Sequence, residues 1–231
     1  MNNLEPRDIY KYISDNIIDL RNRVEAACKR CNRSAAEIKV IGVTKNFPAT
    51  VIQAAYECGL RHFGENRVQE AEIKYRDLGD IGPVTWHMVG HLQSNKVKAA
   101  LEIFNVIHSV DSIKLARVIN EYAGKVVPLF IEVNVGGEAT KYGFTVDQVP
   151  DAVKSISALG NLQVLGLMTV APPADNPEEV RPIFRKLRQL NSSFGFKELS
   201  MGMTDDFEVA IEEGATMIRI GRAIFGERRQ L

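Results

Sequence analysis

The stretch I-K-V-I-G-V-T at residues 38–44, followed at once by Lys45, Asn46, Phe47 and Pro48, decides how the chain is read. It is apolar nearly throughout rather than alternating, as a strand covered on both faces should be. Proline then suits the first turn of a helix, so the segment reads as strand, short loop, helix. The same unit recurs along the chain. Further β-rich runs lie at 61–64, 85–89, 106–110, 127–134, 164–169, 198–201 and 217–221. Between them stand helical patterns, clearest at Val146, Val149, Val153, Ile156 and at Val180, Ile183, Phe184, Leu187, Leu190.

Eight strand–helix units with short connections demand right-handed crossovers and a parallel sheet, either closed or open and doubly wound. Eight units within 231 residues favour closure, so the expected fold is α/β, a single (β/α)8 TIM-type barrel over residues 1–231. An extra N-terminal helix, within 1–33, is expected to pack on it. Its stripe of Tyr10, Ile13, Ile17, Leu20, Val24, Ala27 and Cys31 predicts that Cys31 is core rather than part of a redox pair with Cys28.

Bulk composition narrows the partners. Twenty-nine Lys and Arg balance 29 Asp and Glu, which gives no general attraction to nucleic acid or to anionic lipid. Three cysteines are too few and oddly numbered for a disulfide framework, and no run of about 18 apolar residues marks a membrane span. A cytoplasmic protein without nucleic-acid or membrane partners is expected.

In a barrel of this kind the working face lies at the carboxyl ends of the strands. The residues there are Lys45, Asn66, His87 and His91, Asn134, Met168 and Thr169, the loop 200–204, and Arg219 with 221–226. A lysine at the first of these points into the barrel mouth, where desolvation lowers its pKa and frees the amine to attack an aldehyde. On position alone, a solvated lysine just past a strand end fits equally well. The loops S-M-G-M-T-D-D (200–206) and R-I-G-R-A-I-F-G (219–226) follow the last two strands, where barrels often hold phosphate. In them Gly202 and Gly221 permit close backbone approach, and Thr204 is expected either to cap the next helix or to donate to an anion. His87 and His91 have the spacing of a zinc helix but sit around a strand and lack its glutamate, so metal binding is not expected. Asn66, Asn134 and Lys141 suit either a polar mouth or ordinary caps.

The ordered motifs V-T-K, F-G-E-N-R-V-Q-E (63–70), W-H-M-V-G-H-L-Q-S-N-K (86–96), E-V-N-V-G-G-E-A-T-K-Y-G-F (132–144), G-L-M-T-V (166–170) and the two loops above resemble the pyridoxal phosphate homeostasis protein family. The resemblance runs from about residue 36 onward, the N-terminal helix being less specific to the family. That family is in turn similar to the barrel domain of alanine racemase. The resemblance implies that pyridoxal 5′-phosphate (PLP) is held as a Schiff base on Lys45, with phosphate contacts from 200–204 and 221–222 and with Arg219 against the pyridine nitrogen. The implied cofactor-binding set is Lys45, Asn66, Met168, Ser200, Gly202, Thr204, Arg219, Gly221 and Arg222. Thr204 stands where many relatives carry serine, which keeps the hydroxyl.

An arginine at the ring nitrogen disfavours the protonated ring that PLP catalysis at an amino acid needs. The chain also ends five residues after Gly226, without the second domain from which alanine racemase takes its opposing base. The expected function is therefore a PLP carrier in vitamin B6 homeostasis, without substantial catalysis, that hands PLP to apoenzymes requiring it. A weak amino acid racemase and a Schiff-base aldolase are the alternatives, and a regulatory barrel that binds a partner is a third reading.

Overall fold

The computed structural model describes residues 6–138 and 140–227. Helix α1 (Pro6–Arg30) leads into β1 (Lys39–Val43), α2 (Ala49–Glu57), β2 (His62–Glu65), α3 (Val68–Leu78), β3 (Thr85–Met88), α4 (Val97–Ile103), β4 (Val106–Val110) and α5 (Ile113–Tyr122). Then come β5 (Val127–Asn134), β6 (Phe144–Thr145), α6 (Val149–Ser157), β7 (Leu162–Met168), α7 (Arg181–Ser193), β8 (Glu198–Ser200), α8 (Phe207–Glu212), β9 (Met217–Ile220) and α9 (Arg222–Phe225).

The sheet order is β4-β3-β2-β1-β9-β8-β7-β5, and β4 also pairs with β5, so eight parallel strands close into a barrel surrounded by helices. All eight expected runs are strands of this ring, with ends displaced by one or two residues, as fraying ends are. The short β6 was not expected. It adds beside β5 through Val133–Phe144 and Asn134–Thr145, and two residues leave no periodic trace in a sequence.

The barrel has two cores. The larger lies between sheet and helices and holds Ile52, Phe63, Phe184, Phe207 and Phe225, all 1% exposed or less. The smaller fills the lumen with Ile41, Val106, Phe130, Met168 and Met217. Close packing of strands is visible at Gly166 on β7, where a Cβ would lie 1.8 Å from the Glu198 carbonyl oxygen of β8. No other residue tolerates that approach.

Helix α1 packs on α2, α8 and α9 through Ile13, Ile17, Leu20, Val24, Ala27 and Cys28. The ends of the expected stripe need correction. Tyr10 is 41% exposed, and Cys31 is only half-buried, lying beyond the helix end with its thiol donating to the Ala27 and Cys28 carbonyls. The fully buried cysteine is Cys28, because the apolar stripe drifts around a 3.6-residue helix rather than holding a strict heptad. Among the described residues no helix is long and apolar enough to cross a membrane.

Candidate cofactor site at the barrel mouth

At the carboxyl ends of the strands lies a cavity of about 280 Å³ lined by Val43, Lys45, Asn66, Val89, Val170, Met203, Thr204, Asp205, Arg219, Gly221 and Arg222. The fold thus gathers Lys45, Asn66, Thr204, Arg219, Gly221 and Arg222, from the carboxyl ends of several strands and the turns that follow them, around one space. The other three expected residues stand behind its wall. Met168 belongs to the lumen core, and the side chain of Ser200 is fully buried beneath Arg219. Gly202, at φ +94°, shapes the loop, since a Cβ there would meet Ala210 Cβ at 2.6 Å and Phe207 Cα at 3.0 Å. Thr204 does not cap the following helix. Asp206 occupies the N-cap position of α8 and accepts the Met203 N–H, leaving Thr204 to line the cavity.

The half-buried Lys45 is placed by its neighbours on both sides. The Thr44 hydroxyl donates to Glu65 Oε1, and the Thr44 carbonyl accepts from Lys74 Nζ at 2.6 Å. On the far side Asn46, at φ +66°, donates its N–H to Glu70 Oε1. Lys74 ties the set together by donating also to Glu65 Oε1 at 2.6 Å and Glu70 Oε1 at 2.7 Å. Its side chain is only 6% exposed and that of Glu65 is wholly buried. Burial pushes the Glu65 carboxyl up and the Lys74 ammonium pulls it back. Breaking a buried pair strands the remaining charge at a cost of about 3–5 kcal/mol. We therefore expect Lys74→Met to lower unfolding free energy by roughly that amount, read as a fall in the urea midpoint at unchanged slope.

Arg219 enters the cavity from β9 and is 5% exposed. Its Nη1 donates to Ser200 Oγ at 2.7 Å, its Nη2 to the Thr169 carbonyl at 2.8 Å, and its backbone N–H to the Gly202 carbonyl at 3.0 Å. Burial lowers its pKa to about 10, opposed by Asp206 and Glu132, so the guanidinium stays charged at neutral pH. Glu132 carries the complementary shift. Burial first, then Asp111, raise its carboxyl to about 7, against the pull of Arg219. At the rim Arg222 pairs with both carboxylate oxygens of Asp205 at 2.5 Å.

Asn134 secures a loop, its Oδ1 accepting from the Gly137 and Glu138 N–H groups and its Nδ2 donating to the Glu138 carbonyl. Lys141 pairs with Glu138 at 2.9 Å and donates to the Val170 carbonyl, beside a second cavity that shares Val170, Met203 and Asp205 with the first. His91 meets Asp111 at 3.0 Å and stacks on Tyr142, whereas His87 is buried in the barrel between His62 and His108. The two histidines of H-M-V-G-H thus have separate partners, and among the described residues no group of three metal-ligating side chains converges. His62, His108, Glu132, Glu65 and Lys74 lie outside the expected set of site residues. A histidine inside an otherwise apolar strand, as in V-I-H-S-V, was the one available signal.

A closed parallel barrel with a lysine after its first strand, a buried arginine on its last and two glycine loops beside them defines the alanine racemase-type barrel class. Residues 18–229 match the family described as alanine racemase, N-terminal domain. The pyridoxal phosphate homeostasis protein of Aquifex aeolicus is 46% identical over 216 residues, covering 90% of this chain and 94% of the relative. The protein of that name from Escherichia coli is 37% identical over 229 residues, covering 94% and 97%. Among solved structures, PipY of Synechococcus elongatus with PLP bound superposes with a TM-score of 0.82 at 35% identity, over 93% of this chain and all of that one. Alanine racemase from Corynebacterium glutamicum shares the fold, with a TM-score of 0.72 at 17% identity over 94% of this chain and 62% of the racemase. The chain belongs to the pyridoxal phosphate homeostasis protein family.

Proposed function

We propose that this chain, acting as one barrel unit, binds PLP as a Schiff base on Lys45 and serves in PLP homeostasis as a carrier rather than a catalyst. The observation that carries the reading is the convergence of Lys45, Arg219 and the loops holding Thr204, Gly221 and Arg222 on one cavity. That set suits an aldehyde bearing a phosphate: an amine for the carbonyl carbon, and a hydroxyl, backbone N–H groups and a guanidinium for the anion. Relatives carry the homeostasis name, and PipY has been solved with PLP bound. Formation of the link joins Lys45 Nζ to the aldehyde carbon with loss of water. The test is the absorption spectrum of the purified protein, then borohydride reduction and mass mapping; a dominant adduct on any other lysine would sink the assignment.

When bound, PLP supplies an electron sink only to the extent that its ring nitrogen is protonated. With Arg219 directed at that nitrogen, a charged donor there disfavours the added proton. We therefore expect amino acids to bind without turnover. In deuterated water the holoprotein should exchange the α-hydrogen of L-alanine no faster than free PLP does. Exchange at many turnovers per second, lost in Lys45→Ala, would make the protein an enzyme. A cytoplasmic location and delivery to PLP-requiring apoenzymes complete the proposal.

A further inference from the structure

Three of the four histidines stand in one hydrogen-bonded line through the barrel. His62 Nδ1 lies 3.0 Å from His87 Nε2, His87 Nδ1 lies 2.9 Å from His108 Nε2, and His108 Nδ1 lies 2.8 Å from Ser200 Oγ, which accepts from Arg219 Nη1 at 2.7 Å. Strand register explains the climb. His87 pairs with Gly64, two residues beyond His62, and with Val106, two residues before His108, so each ring stands one strand over and one inward position higher. The line begins beside a groove under the barrel, where His62 is half-buried, and ends at the mouth.

We propose that Ser200, His108, His87 and His62 are positioning residues for Arg219, joined by hydrogen bonds that all donate in one direction, from the guanidinium toward the underside of the barrel. The consequence for the cofactor rests on the function proposed above. The direction follows from counting hydrogens. Arg219 can only donate, so Ser200 Oγ accepts from it, and the acceptor the structure offers the buried Ser200 hydroxyl is His108 Nδ1. His108 then carries its hydrogen on Nε2 and donates to His87 Nδ1. His87 likewise donates from Nε2 to His62 Nδ1, and His62 Nε2–H faces the groove. The reverse order leaves the Ser200 hydrogen buried without a partner, which is unfavourable.

A neutral line is what this interior favours. Burial holds all three rings below the ordinary histidine range, His87 at about 3, and Arg219 adds to the effect on His108. His62, the least buried, is the ring on which a positive charge is tolerated first. With hydrogens on both its nitrogens, it must donate to His87. The hydrogen of His87 Nε2 passes to His62 Nδ1, that of His108 Nε2 to His87 Nδ1 and that of Ser200 to His108 Nδ1, while one solvent proton restores the hydroxyl. The net change is one proton gained, with the charge on His62. Ser200 then accepts from both sides and its own hydrogen loses its acceptor, so the seat of Arg219 changes at the opposite end of the barrel.

The charged groups sharing the groove with His62 are Lys39, paired with Glu198, and Arg21, Glu25 and Arg61; those facing Arg219 are Glu132 and Asp206. Ring-nitrogen correlation spectra of isotopically labelled protein, PLP-loaded, test the proposal. At neutral pH His62, His87 and His108 should each carry hydrogen on Nε2 alone; hydrogen on Nδ1 of His108 would overturn it. On acidification the signals of His87 and His108 and the imine absorbance should move with the midpoint of His62, below the step that Glu132 contributes. In His62→Gln the lower step should vanish from the absorbance while the Glu132 step stays. In Ser200→Ala His62 should still titrate, but the absorbance should no longer follow it. An imine band indifferent to His62 in the wild-type protein would also overturn the proposal. Failure to form an imine at all would count against the cofactor reading instead, and the tautomers of the unloaded protein would still decide the direction of the line.

Discussion

Lys45→Ala is expected to abolish the imine absorbance and the borohydride-trapped adduct while leaving a folded barrel that retains weak, reversible affinity for PLP. The first half follows from chemistry. Within the cavity Lys45 is the lining lysine, so its removal takes away the amine that would condense with an aldehyde there. The second half follows from where the backbone is held. Thr44 and Asn46 are held through Lys74, Glu65 and Glu70, contacts that truncation of the Lys45 side chain keeps, so the loop is expected to stay in place. The measurement is intact-mass analysis after borohydride, paired with a thermal melt. A stoichiometric adduct in the variant would refute the assignment, and collapse of the fold would refute the account of how the loop is held.

Pyridoxal, which lacks the phosphate, is expected to bind at least about a hundredfold more weakly than PLP. A hydrogen bond to a charged group contributes about 1.5–3 kcal/mol. Losing two such bonds costs about 3 kcal/mol or more, which is two decades in affinity at 1.4 kcal/mol each. The donors proposed are the Thr204 hydroxyl and the backbone and side chain of the 221–222 turn, all on the cavity wall. Arg222 is exposed and already engaged by Asp205, so Arg222→Ala should weaken PLP binding by less than removal of the phosphate does. Equilibrium titration of the apoprotein with both aldehydes checks the difference, and equal affinities would remove the phosphate site from the reading.

The parts of the molecule legible without coordinates share a physical character. Strand and helix signals are local, because burial on both faces writes an apolar run and burial on one stripe writes a helical spacing. Several of the eight ring strands are legible for that reason and the others by their β-rich content between turn signals, whereas β6, at two residues, is not. The place of Lys45 is legible because it lies just past a strand, and the working face of a parallel barrel is the carboxyl end of its strands, whereas its role with a cofactor came only from the family resemblance. Arg219 is legible by its place at the last strand, although nothing in the run M-I-R-I-G names Ser200 or Thr169 as its partners.

Lys74 shows the limit from the other side. Four residues after Glu70 on a helix, it reads as an ordinary surface pair, yet packing of α3 against β2, beside the loop after β1, makes it a nearly buried ammonium that holds the loop of Lys45. The line from His62 to Arg219 shows it again, because its members are far apart in the chain and meet only through the register between strands. The sequence by itself determined the order of the elements and placed a lysine just past the first strand, because both follow from patterns among near neighbours in the chain, and the number of units within its length favoured a closed barrel. Tertiary structure alone decided which charges are buried, which groups answer them and in what direction hydrogen bonds run through the lumen, because those depend on strand register and barrel closure, which bring together residues that no local pattern connects.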